Sequence, residues 1–109
     1  MAAPMLPLAN AAAAPLAAVP EHAHERFHEL LIDGIRHGRR LSALFAHPVD
    51  GRLQLFAVLA ADADGLLELA RTTLAADRFP SLTPELPEAH LFEREIAEQW
   101  GALPEGHPW

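Results

Sequence analysis

The sequence predicts an α+β domain in which an antiparallel β-meander packs with an N-terminal and a C-terminal helix. Three observations carry that prediction. Phe27, Leu30, Leu31 and Ile35 recur at helical spacing. Two runs of strand character flank Asp50-Gly51, a pair that supplies the left-handed positions of a tight hairpin. A second helical stripe, Ala89, Phe92, Ile96 and Trp100, is entered through prolines and ends at Gly101. The 109 residues suffice for one domain, and 50% hydrophobic content can build a core. Domains of this size are only marginally stable by themselves.

In chain order, residues 1–20 read as an Ala/Pro-rich leader, disordered or loosely helical, because Pro4, Pro7, Pro15 and Pro20 interrupt any alanine helix. Residues 21–109 read as the single domain. Its first helix spans Glu21 to His37, with Pro20 and Glu21 suited to the first turn and Arg36, His37 and Gly38 to the end. From Arg39 to His47 the period shortens to two: Leu41, Ala43 and Phe45 alternate with other residues as in a half-buried strand. Pro48 to Gly51 is the turn, and Arg52 to Ala61, apolar on both faces, is a central return strand. Ala61 to Gly65 turns the chain again. LLELARTTL (Leu66 to Leu74) contains good helix formers, while Thr72 and Thr73 favour a strand; two short turns in succession select the strand and a meander. Phe79 to Leu82 is extended, since a residue before proline is pushed out of the helical region. Thr83 reads as an N-cap with Pro84 at the first helical position, and Pro87 repeats the device before a helix ending near Trp100. Ala102 to Trp109, with Pro104, Gly106 and Pro108, reads as irregular.

Composition removes several chemistries. The chain has no cysteine, lysine or tyrosine, so thiol nucleophiles, cysteine-held iron–sulfur clusters, Schiff-base lysines and a Walker lysine are all absent. Ser42 and Ser81 are its two serines. A net charge of −7 opposes nucleic acid, whose phosphates need a basic face, and also an anionic membrane surface. No apolar run reaches the ~20 residues needed to span a bilayer. The first twenty residues contain no basic residue, which opposes a signal or transit peptide and leaves the cytoplasm as the expected compartment.

Two stretches could carry chemistry. His24-Glu25-Arg26-Phe27-His28 matches H-E-x-x-H, in which two histidines one helical turn apart bind zinc and the glutamate acts as general base. Helical geometry places His24 and His28 beside the Phe27–Leu31–Ile35 stripe, at the rim of a core and not in a cleft, and no third ligand stands out. Adventitious metal binding by His22, His24 and His28, or no metal role, are the plainer readings. Glu93-Arg94-Glu95 resembles an acid/base pair, but on a helix Glu93 and Glu95 cannot converge on one proton. Ion pairing is the expected use of these charges, and Phe92, Ile96 and Trp100 are expected in the core.

The longest specific signal is FPSLTPELPEAHLFEREIAEQWG followed by PEGHP. It resembles the signature region of the thirty-kilodalton subunit family of NADH-quinone oxidoreductase, respiratory complex I. The positions that carry the resemblance are Pro80, Ser81, Leu82 and Thr83, then Phe92, Glu93, Arg94 and Glu95, then Gly101, and Gly106, His107 and Pro108. In finer detail, AHLFEREI and PEGHPW are similar to the N-terminal domain of the large subunit of energy-converting nickel–iron hydrogenases of the formate hydrogenlyase type. The match covers about the last thirty residues.

The resemblance implies a structural and assembly domain of a membrane-associated oxidoreductase. Its expected partners are a large catalytic subunit and a small iron–sulfur subunit, on the inner face of the membrane. Any nickel–iron centre, iron–sulfur cluster, quinone or NADH site is expected in the parent complex, with no catalytic, cofactor or metal residue in this chain. Relatives of this kind continue past the position of Trp109. Two alternatives from other classes are a small zinc hydrolase using His24, Glu25 and His28, and a stand-alone protein-binding module.

Overall fold

A computed structural model describes residues 4–9 and 16–108. Its elements are β1 (Leu6–Ala9), α1 (His24–Arg36), β2 (Arg40–Val49), β3 (Arg52–Ala61), β4 (Leu66–Thr73), β5 (Arg78–Pro80), α2 (His90–Trp100) and β6 (Leu103–Glu105). The α+β prediction holds: an antiparallel sheet carries both helices.

The hairpin β2–β3 forms where the sequence places it. Val49 pairs with Arg52 across a two-residue turn, and Asp50 (φ 51°) and Gly51 (φ 78°) take the left-handed conformations it requires. Pro48 and Val49, expected in the turn, belong to β2. The second turn is a short 3₁₀ segment, Asp62–Asp64, closed by Gly65 at φ 66°. It returns the chain as β4, antiparallel to β3.

The sheet has four strands and not three, in the order β1-β4-β3-β2. Leu6–Ala9, which falls within the expected leader, pairs antiparallel with Leu66–Leu69. Proline cannot donate to a ladder, but Pro7 stands on an edge strand, where that loss is tolerated. The chain then covers the next part of the β4 edge. Arg71 N–H donates to the Pro20 carbonyl at 3.0 Å and His22 N–H to the Arg71 carbonyl at 2.9 Å, and Val19 is buried. Prolines therefore stop a helix here without stopping the segment from ordering on a sheet edge. Residues 1–3 and 10–15 of the leader lie outside the described residues.

Both helices pack on one sheet face. Phe27 and Leu31 of α1 and Ile96 of α2 join Leu44, Leu55 and Leu59 in a single core. Helix α1 approaches β3 at Gly34, where a Cβ would run into Leu59 Cδ1. The opposite face carries Phe45 stacked on Phe56 with ring centroids 5.3 Å apart. On the same face Arg71 donates to Gln54 Oε1 at 3.1 Å, Gln54 donates to Thr73 Oγ1 at 2.9 Å, and the Thr73 hydroxyl donates to Glu21 at 2.6 Å.

The C-terminal region departs from expectation in three places. Leu103–Glu105, read as irregular, forms β6, a short parallel partner of β5. Proline is tolerated at the middle of β6 because only one neighbour strand pairs with it. Thr83 caps no helix: a 3₁₀ turn at Pro87–Ala89 leads into α2, and the Thr83 hydroxyl is used elsewhere. Trp100 is 40% exposed instead of buried. The inward face of α2 is built on Glu93 and Ile96, in line with Ala89 of the preceding 3₁₀ turn, with Phe92 half-buried beside it. One more turn carries Trp100 to the rim of an open cleft of about 440 Å³, shared with Pro48, Leu53, Leu74 and Ala102.

Candidate functional site

Part of the signature, Ser81, Leu82, Thr83 and His107, converges on one buried carboxylate. Glu93 projects from the inner face of α2 and is completely buried. A charge withdrawn from water costs several kcal/mol unless it is fully hydrogen-bonded. The chain meets that demand with Ser81, Leu82 and Thr83. The Ser81 hydroxyl donates to Glu93 Oε1 at 2.6 Å, the Thr83 hydroxyl to the same oxygen at 2.6 Å, and the Leu82 N–H to Oε2 at 2.7 Å. Thr83 N–H in turn donates to Ser81 Oγ at 3.1 Å, which fixes the loop that surrounds the carboxylate. Pro80 closes β5 just upstream and holds the chain extended into this cage.

The tail completes the arrangement. Gly101 ends α2 at φ 73°, β6 pairs with β5, and Gly106 at φ 82° turns the chain back. That turn puts the His107 side chain, 3% exposed, 3.9 Å from Glu93 Oε1, with its Nε2 donating to the His90 carbonyl at 3.3 Å. The His90 and His107 rings stack with centroids 4.8 Å apart. Pro108 follows at the surface.

Of the other predicted positions, Arg94 and Glu95 lie on the outer side of α2. Arg94 pairs with Glu98 at 3.9 Å, and Glu95 lines a groove beside β2. The expectation that Glu93 would serve a surface ion pair is overturned. Burial of Ala89 and Ile96 turns the same helical face, Glu93 included, inward. A carboxylate with no exposed surface and three donors upon it has no path to a substrate. It is a structural knot joining β5, the loop after it, α2 and the tail.

The H-E-x-x-H residues occupy the N-terminal turns of α1. The His24 and His28 rings lie 4.7 Å apart, and Glu25 is exposed to solvent. His28 Nε2 donates to the Pro80 carbonyl at 3.2 Å, which ties α1 to the signature loop. His22 Nε2 donates to the Pro4 carbonyl at 2.6 Å. His24 Nε2 is buried without a hydrogen-bond partner, beside an open cleft of about 330 Å³ lined by Thr73, Arg78 and Pro80. Burial, and then the neighbouring His28, hold the His24 imidazole below its ordinary value of 6.5; the Pro80 carbonyl, Glu25 and Glu93 oppose the shift. Among the described residues no group of three His, Cys, Asp or Glu side chains is placed to hold a metal ion. The two rings come together, but the geometry adds no third ligand to them.

Sequence reasoning has no hold on the cage because its two halves are ten or more residues apart, each ordinary in itself. A glutamate on the apolar side of a helix stripe, three residues before Ile96 and four after Ala89, is the available signal. Among the described residues no helix is long and apolar enough to cross a membrane.

No protein-family model matches the chain, and no curated protein matches it. Among solved structures, the fold matches that of Nqo5, studied as a trypsin-resistant fragment of residues 1–134 in a P63 crystal form. The TM-score is 0.67 with 24% sequence identity, over 82% of this chain and 79% of that one. The chain thus has the fold of the Nqo5 fragment.

Proposed function

We propose that the chain is a non-catalytic assembly subunit or domain of a multi-subunit, membrane-associated oxidoreductase of the complex I type. The observation that carries this reading is the Glu93 cage. Ser81, Leu82, Thr83, Glu93 and His107, five of the residues by which the sequence resembles the thirty-kilodalton subunit, form or surround one buried carboxylate, a structural use for a glutamate that looks catalytic in the sequence alone. The fold supports the same reading, since Nqo5 is a complex I thirty-kilodalton subunit. Its partners would be the large catalytic subunit and the small iron–sulfur subunit, and it would sit on the cytoplasmic face of the membrane through them. Quinone, NADH, iron–sulfur clusters or a nickel–iron centre would belong to those partners, as a chain without cysteine cannot hold the last two by thiolates.

The finer assignment, to an energy-converting nickel–iron hydrogenase of the formate hydrogenlyase type, is supported by AHLFEREI and PEGHPW. A deletion strain tests the reading. Without this gene the parent complex fails to assemble on a native gel, and a His24→Ala/His28→Ala variant restores it. An assembled, fully active complex in the deletion strain would exclude an assembly role. Stoichiometric zinc in the purified protein, lost with the double variant, would favour a hydrolase.

A further inference from the structure

We infer that His24, His28 and the Pro80 carbonyl form a site for one divalent transition-metal ion of the nickel(II) or copper(II) class. The ion ties the first turns of α1 to the loop that follows β5. His24 Nε2 is buried and, among the described residues, is the one enclosed side-chain nitrogen or oxygen without a hydrogen-bond partner. A polar atom enclosed without a partner is costly, and it points to a group that the protein chain itself does not supply.

The geometry beside that nitrogen fits an ion. His24 and His28 stand one turn apart on one side of α1, with ring centroids 4.7 Å apart. Two imidazoles on one ion, through metal–nitrogen bonds of about 2.1 Å, hold their ring centres about 4.5 Å apart at a right angle and about 5.2 Å apart at the tetrahedral angle. The observed spacing lies nearer the right angle. With no third side chain at hand, the third donor is the Pro80 carbonyl, 3.2 Å from His28 Nε2. Donors about 2.1 Å from an ion and at right angles lie about 3.0 Å from each other, so this edge fits as well. The same carbonyl lies close enough to the His24 ring to act on it as an acceptor, against the larger effect of burial. His28 frees its Nε2 lone pair by carrying its proton on Nδ1, so the ring loses no proton.

These donors select the ion. Right angles with mixed nitrogen and oxygen donors suit nickel(II) and copper(II), whereas structural zinc takes four ligands at tetrahedral angles. The positive end of the α1 dipole opposes any cation here, so binding rests on strong bonds to imidazole. Calcium and magnesium, which take oxygen, are thereby excluded. His24 and Pro80 both line the open cleft of about 330 Å³, which gives the ion its entry and water its remaining positions. Arg78, also on the cleft, is turned to Asp77 at 3.8 Å and Glu105 at 3.6 Å. Glu25, which would be the general base of a zinc hydrolase, is exposed to solvent and does not line the cleft. The ion is therefore a structural pin and not a hydrolytic centre.

The test uses the full chain, without a histidine tag and stripped by chelator, titrated with nickel(II) at neutral pH. One ion per chain should bind, and the imidazole proton signals of His24 and His28 should broaden before those of His22, His37 and His47. His24→Ala should weaken binding by about tenfold or more. His28→Gln, whose amide can still donate to the Pro80 carbonyl, spares the contact between α1 and the loop and should weaken binding by about as much. His22→Ala should leave the affinity within about twofold. The assignment fails if no stoichiometric ion binds, or if nickel(II) binds both variants as it binds the parent, which marks an adventitious ion only. Zinc(II) bound more tightly than nickel(II) would indicate tetrahedral donors and overturn the assigned ion. The site stands or falls apart from the assembly role, since binding is measured on the isolated chain.

Discussion

Glu93 shows how a residue acquires its role from what surrounds it. On a surface helix it would be one of ten glutamates; facing inward, it holds Ser81, Leu82 and Thr83 in one arrangement. Removing a buried charge partner leaves the opposing polar groups unsatisfied, so Glu93→Ala should destabilise the fold by about 3 kcal/mol or more. Glu93→Gln keeps the shape but turns an NH₂ toward donors, and about 1–3 kcal/mol should be lost. Urea midpoints at constant m-value report both, and a Glu93→Ala protein as stable as the parent would refute the cage. His24 supplies a pH dependence of definite sign. Its folded value lies below the ordinary 6.5, so between the two values the unfolded chain holds more protons than the folded one. Stability contributed by neutral His24 is present above 6.5 and declines as pH falls toward its folded value. The groups facing His24 are His28, Glu25 and Glu93. A His24→Asn variant should therefore show a shallower loss of stability from neutral pH downward. An unchanged slope in pH-dependent urea unfolding would contradict it.

The elements separate what periodicity reveals from what it conceals. Helix α1, the hairpin β2–β3 and β4 are legible because each carries its own signal: a stripe at helical spacing, Asp50-Gly51, and paired threonines after a tight turn. Strand β1 and the Val19–His22 segment are not. Their order comes from partners, since Leu6 and Leu8 need Leu69 and Leu67 across the ladder, and prolines that forbid a helix are compatible with an edge. Strand β6 escapes for the same reason. In α2 the apolar stripe points one step away from the face that packs, because hydrophobicity gives weight to Phe92 and Trp100 and assigns a carboxylate to water. The candidate site is legible only as a string: its members can be named, but that Glu93 lies inside with the others around it depends on tertiary contact. Two substitutions test the element packing. Trp100→Ala should change stability by less than about 1 kcal/mol, as a half-exposed side chain loses little on truncation. Gly34→Ala gains helix propensity worth up to about 1 kcal/mol, but its Cβ meets Leu59, buried and unable to yield. It should be destabilising overall by about 1–2 kcal/mol. A thermal midpoint for Gly34→Ala above that of the parent would show that α1 and β3 are looser than described.

At the scale of the whole molecule, several features support the proposed assembly role. Its polar machinery is spent on its own fold: the Glu93 cage, the Gln54–Arg71–Thr73 network, and His28 on the Pro80 carbonyl. What remains on the surface is a set of exposed apolar side chains, Phe45, Leu91, Trp100 and Leu103 among them, and an acidic charge. Small domains with such surfaces gain stability by mass action from a bound partner. The isolated chain should accordingly melt at a lower temperature than the same chain within its complex. The most direct measurement is native mass spectrometry of the tagged chain isolated from its own cells in mild detergent. An assembly subunit appears in one-to-one stoichiometry with a large catalytic oxidoreductase subunit. A chain recovered only alone, or only as copies of itself, with such an enzyme present in the same membranes, would contradict the account.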